Sequence, residues 1–161
     1  MADIFSKAKR SEIMSRIKSH GTSPELQMVS LIRPLLTARS SVLLNCRNLP
    51  GQPDIVIPAM RLAIFVDGCF YHGCPKHGHQ PKSNQGYWGP KLARNMKRDA
   101  SSRRRLRRLG FSVWRFWEHE LRPKALVRTQ AVMRRRLLNR RRQVRLLQVH
   151  RTPKVPLGIQ A

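Results

Sequence analysis

The segment from 68 to 86 constrains this chain most, because it is rich in Gly, Pro, His and Cys and carries too little apolar surface to be held by a core. Something else must fix it. Cys69, His72, Cys74, His77 and His79 crowd into eleven of its residues. Cys69, Cys74 and His77 are separated by four and then two residues, and His119 follows much later, after Trp117-Glu118. Two thiolates and two imidazoles make a closed tetrahedral Zn²⁺ site of the structural kind, one that would staple the loop to the end of a strand. The spacing leaves two choices open: His79 can replace His77, and His72 can be a ligand instead of a base. With three cysteines, an odd number, a disulfide framework is not expected, and a reduced cytosol is.

The second constraint is charge. Lys and Arg number 33 against eight acids, a formal net charge of +25 in 161 residues. Such a chain repels itself and calls for a polyanion, with DNA or RNA the first expectation. No apolar run reaches spanning length, and Met1-Ala2-Asp3 does not open a signal peptide. Charge alone does not separate a histone-like binder from an enzyme; the few acids do. Asp3, Glu12, Glu25, Asp54, Asp67, Asp99, Glu118 and Glu120 are the whole stock from which a hard metal could draw oxygen ligands.

Periodicity places these residues. Residues 6–19 read as a basic first helix, and Thr22-Ser23-Pro24-Glu25 starts a second, with a hydroxyl cap, Pro in the first turn and spacing kept to about Ala38 across Pro34. Val42–Cys46, Asp54–Ile57 and Leu62–Val66 read as a meander of strands. Tyr87 to Leu109 is helical, with Gly110 as its expected cap; Phe111–Trp117 is a fourth strand, with Trp114 and Trp117 assigned to the core. A last helix runs from Pro123 to about Val149. The expected fold is α/β, one mixed sheet flanked by helices. Residues 1–122 are expected to form the main domain, and 123–161 a basic helix and tail on or beyond it.

A hairpin would bring Asp54 beside the end of the Leu62–Val66 strand. Acids so placed resemble the restriction-endonuclease-like PD-(D/E)xK core, which holds Mg²⁺ against a scissile phosphate. The resemblance is imperfect, since Ile64-Phe65-Val66-Asp67-Gly68-Cys69 has no acid-x-Lys unit. His72 can take the proton of water instead. Read alone, an Asp after Pro is more often a turn residue.

Longer runs carry a sharper resemblance. Gly68-Cys69-Phe70-Tyr71-His72-Gly73-Cys74-Pro75-Lys76-His77-Gly78 is preceded by Leu49-Pro50-Gly51-Gln52-Pro53-Asp54 and followed by Tyr87-Trp88, Asn95, Arg98-Asp99 and Trp117-Glu118. In order and gaps, from about residue 6 to 122, the chain resembles very short patch repair (Vsr) mismatch endonucleases. That resemblance implies a cytoplasmic bacterial enzyme, nucleoid-associated in use, that nicks duplex DNA 5′ of the mispaired T in T:G mismatches with Mg²⁺. It implies Asp54 as the metal-binding carboxylate, Val66 as a main-chain carbonyl ligand, His72 as general base and Glu25 as the residue orienting metal-bound waters. Cys69, Cys74, His77 and His119 would hold the structural zinc. Asp67 is not secured by the match, and strand alternation turns it away from the Val66 side chain.

The same resemblance makes Phe70, Tyr71 and Trp88 a major-groove wedge, with Met14 its minor-groove counterpart on the first helix, and sets Lys91 and Asn95 at the mismatch. Spacing agrees: Trp88, Lys91, Asn95 and Arg98 share one helical face. A monomer is expected, and mismatch-repair proteins such as MutL are further partners that these residues do not specify. Two rival functions are a nuclease of related fold with another target and a non-catalytic zinc-stabilised DNA-binding protein. The first loses a use for the aromatic wedge; the second has none for Asp54, His72 and Glu25 together.

Overall fold

The computed structural model describes residues 20–38, 40–78 and 84–149, together with Lys9 and Glu12. Most of the expected first helix, Met14 with it, and His79 lie outside the described residues. Helix α1 spans Ser23–Ile32, with Pro24 in its first turn. It closes earlier than its apolar spacing predicts: Pro34 has no N–H to continue the ladder, so Arg33–Leu35 tighten into a 3₁₀ turn. Strands β1 (Leu43–Leu44), β2 (Ile55–Ile57) and β3 (Leu62–Asp67) follow as the expected meander, β1 antiparallel to β2 and β2 to β3. The first strand is shorter than expected because Asn45 takes a left-handed φ of 49°. Helix α2 (Gln85–Arg108) crosses over to β4 (Ser112–Trp117), which pairs parallel with β3 and lies at the sheet's other edge. Gly110, at φ 82°, ends α2 as the sequence predicts, its N–H donating to the Arg107 carbonyl at 2.9 Å. Helix α3 spans Pro123–Val149.

The sheet is apolar on both faces, and alternation sorts its residues. Ile55, Ile57, Leu62, Ile64 and Phe116 pack with Met28 and Ile32 of α1 and with Met133 and Leu137 of α3. Val56, Ala63 and the partly buried Phe65 face the other way, onto Leu106 of α2. Burying each of the larger side chains contributes about 1.5–3 kcal/mol. Helices α1 and α3 thus cover one face and α2 the other. Trp114 joins the larger cluster as expected. Trp117 belongs to neither cluster: the Arg115 guanidinium carbon sits 3.9 Å from its ring centroid, so it serves as a stacking platform.

Candidate functional site

A cleft of about 950 Å³ opens on the α2 side of the sheet, lined among others by Glu25, Asp54, Asp67, His72, Asp99 and Arg103. Asp54 immediately precedes β2, and the Gly51 turn before it lies close against α2. Gly51 has φ 76°, and a Cβ there would lie 2.6 Å from that of Ser102. The Val66 N–H donates to Asp54 Oδ2 at 2.7 Å, so the hairpin does bring the carboxylate to the end of β3. Val66 turns its side chain toward the larger core cluster, leaving Asp67 on the cleft side, as alternation predicts. Asp67 is buried and accepts a short hydrogen bond from Arg115 Nε.

Burial pushes the Asp54 carboxyl up to about 7, and the charges of Glu25 and Asp67 push the same way against the Val66 N–H and His72. Glu25 is itself buried and anchored: Oε2 accepts the Gly21 N–H and Oε1 the Thr22 hydroxyl, each at 2.8 Å. Thr22 therefore does not cap α1 with its hydroxyl; that group donates to Glu25 instead. Glu25, Asp54 and Asp67 thus bring carboxylate oxygens, the donor type Mg²⁺ takes, into one cleft, and a divalent cation there would favour the ionised form of Asp54.

His72 faces this group across the cleft. Its Nδ1 is 2.6 Å from Asp99 Oδ2 and 3.9 Å from Asp67 Oδ1. Arg115 Nη2 donates to the His72 carbonyl at 3.0 Å, so one arginine from β4 ties Asp67 to the histidine backbone. Asp99 and Arg115 were not assigned these places from sequence. Asp99 was within reach of it, lying four residues past Asn95 on the α2 face that carries Trp88. Arg115 was not, because the parallel register that sets it opposite Phe65 has no local signal.

The loop after β3 holds the second cluster. The Cys69, Cys74, His77 and His119 donor atoms all lie within 4.8 Å of one another. Cys69 Sγ is 3.1 Å from His119 Nδ1, and Cys74 Sγ is 3.7 Å from His119 Nδ1 and 3.9 Å from His77 Nδ1. Ligands about 2.0–2.3 Å from a tetrahedral zinc stand roughly 3.3–3.8 Å apart, so the set fits Zn²⁺ with little adjustment. Burial pushes the Cys69 thiol up to about 11. Burial pushes the Cys74 thiol up, but the N–H groups of His77 and Lys76, the Cys69 thiol and the Gly78 N–H together outweigh it and hold Cys74 below the usual value. Gly73 lets the loop close on α2: at φ 66°, its Cβ would lie 2.4 Å from Met96 Sδ.

Phe70, Tyr71 and Trp88 come together at the edge of this loop. Phe70 packs edge-on to Tyr71 and Trp88, with ring centroids 5.0 and 5.1 Å away, and Tyr71 lies 6.4 Å from Trp88. Lys91 Nζ sits over Tyr87 and Trp88 at 4.9 and 5.2 Å and donates to the Tyr87 hydroxyl. The Asn95 amide donates to the Tyr71 carbonyl at 3.3 Å, tying the aromatic group to α2.

Comparison of the sequence with known proteins finds relatives named as DNA-cutting enzymes. The type II nicking enzyme V.NaeI of Lentzea aerocolonigenes is 43% identical over 115 residues, 70% of this chain and 69% of the relative. The type II nicking enzyme V.NmeAIP of Neisseria meningitidis serogroup A / serotype 4A (strain DSM 15465 / Z2491) is 39% identical over 131 residues, 80% and 90% of the two chains. The DNA mismatch endonuclease Vsr of Escherichia coli (strain K12) is 33% identical over 141 residues, 84% and 85%. A family model described as DNA mismatch endonuclease Vsr matches residues 2–79. The chain belongs to the Vsr family of DNA mismatch endonucleases.

Proposed function

We propose that this protein is a Mg²⁺-dependent endonuclease that nicks one strand of duplex DNA 5′ of the mispaired T in a T:G mismatch, starting very short patch repair. The observation that carries the reading is the convergence of Asp54 and the His72–Asp99 pair on one cleft. Asp54 would hold the metal together with the Val66 carbonyl, and Glu25 would position water from α1. Bound there, Mg²⁺ supplies Lewis-acid activation of the scissile phosphate and lowers the pKa of bound water. His72 accepts the water proton at Nε2, because Asp99 occupies Nδ1 and fixes the ring. Arg98 and Arg103, which also line the cleft, attract the phosphate backbone. The core follows the restriction-endonuclease-like plan with His72 in place of its usual lysine.

Phe70, Tyr71 and Trp88 form a preassembled wedge, which unstacks the base step and presents the mispair to Lys91 and Asn95. Met14 enters from the opposite groove in this reading. The zinc ligands Cys69, Cys74, His77 and His119 keep the wedge loop rigid. The enzyme acts as a monomer in the bacterial cytoplasm; no helix among the described residues is long and apolar enough to cross a membrane. Asp54→Ala should abolish strand cleavage while sparing duplex binding. Cleavage at the wild-type rate would remove Asp54 from the metal site and the reading with it.

A further inference from the structure

Between Pro123 and Val149, α3 carries nine cations and no acid. Some of these cations serve the fold. Arg140 Nε donates to the Met60 carbonyl at 2.9 Å, Arg141 to that of Leu35, and Arg136 lies 5.6 Å from the Phe116 ring centroid. Four others do not. Lys124, Arg128, Arg135 and Arg142 are exposed, and none is ion-paired with a described carboxylate. At about 100° per residue they fall within roughly 40° of one another around the helix axis, a straight row about 27 Å long. Thr129, Met133 and Leu137, the buried side of α3, lie almost opposite. Because α3 and α2 cover opposite faces of the sheet, the row faces away from the cleft.

We infer that the Lys124–Arg128–Arg135–Arg142 row of α3 is a second docking surface for duplex DNA, engaging the phosphates of a segment other than the one in the cleft. The inference rests on the proposal that the cleft itself takes duplex DNA. Charge complementarity selects the partner: a linear array of cations with no interspersed acid matches the continuous line of phosphates along a duplex. It reads no sequence, since it offers charge without a groove-filling ring. Its use is to hold a second stretch of DNA, looped or from another molecule, and so keep the enzyme on DNA between mismatches.

The test is a full-length variant with Lys124, Arg128, Arg135 and Arg142 all changed to Gln, a residue of similar helix propensity. Mixed at low salt with a short T:G duplex and a labelled fully paired duplex, the wild type should form complexes of one chain with two duplexes. The variant should stop at one duplex, melt like the wild type, and nick the saturating T:G duplex at the unchanged rate. Its non-specific binding should fall roughly 10- to 100-fold, and its log–log salt slope should flatten by about 2–4, since each lost phosphate contact removes about 0.9. Two-duplex complexes in the variant, or one-duplex complexes alone in the wild type, would overturn the inference. So would wild-type-only binding to phosphatidylserine vesicles without a second duplex. Absence of even a one-duplex complex would instead sink the DNA reading of the cleft, and the inference with it.

Discussion

His72 Nδ1 and Asp99 Oδ2 lie 2.6 Å apart although 27 residues separate them in sequence, one on the Cys/His loop and the other on α2. A carboxylate at that nitrogen fixes ring orientation and leaves Nε2 as the position for proton transfer. Asp99→Ala should therefore lower the single-turnover cleavage rate, by roughly the 10²–10⁴-fold that positioned acid–base groups contribute at most, with mismatch affinity kept. An unchanged rate would show that the pair is structural.

Asp54 makes a second, thermodynamic prediction. Its folded-state value of about 7 exceeds the ordinary 3.8, so the metal-free fold favours the protonated carboxyl. The stability this gives is full below about pH 4 and is lost as pH rises toward 7. Asp54→Asn keeps an oxygen for the Val66 N–H and removes the charge. Without metal it should melt above the wild type at pH 8, by an amount on the order of a few kcal/mol, and converge with it near pH 4. Added Mg²⁺ should raise the melting temperature of the wild type alone. Identical pH profiles for the two proteins would refute the burial account.

The Cys/His cluster predicts one zinc per chain by elemental analysis. Cys74→Ser should lose that zinc, lower the melting temperature and loosen the loop to proteolysis, because the cluster stands in for core that the segment lacks. A variant with full zinc content would contradict the ligand assignment. His72→Ala should keep its zinc, as its ring pairs with Asp99 outside the cluster.

Trp88 contacts Phe70 on the loop and Tyr87 on its own helix, so its removal opens the aromatic group at the centre. Trp88→Ala should cost about 1–3 kcal/mol of binding to T:G duplex and less to a fully paired one. Equal losses on both would make the ring a packing residue.

Much of this was legible in residue order. Alternation and turn residues placed β2, β3 and β4 to within a residue or two, since each is short, apolar and bounded by Pro or Gly. The Asp54–Val66 contact followed from the hairpin, and spacing grouped Cys69, Cys74 and His119 while leaving His77 and His79 as alternatives, of which His79 lies outside the described residues. What failed to show was tertiary. Arg115 reaches Asp67 through a parallel register set by the α2 crossover, and Glu25 is held by two groups that precede it. Pro34 overrode a periodic apolar pattern, and Asn45 cut β1 short through a backbone angle that side-chain pattern does not encode.

The most direct test of the central claim is cleavage of matched, strand-labelled duplexes that differ only in a central T:G, T:A or C:G pair, with Mg²⁺ and with EDTA. The account predicts a single nick 5′ of the mispaired T, in the T:G duplex alone and only with the metal. Equal cutting of all three duplexes, or tight binding with no cutting in Mg²⁺, would contradict it.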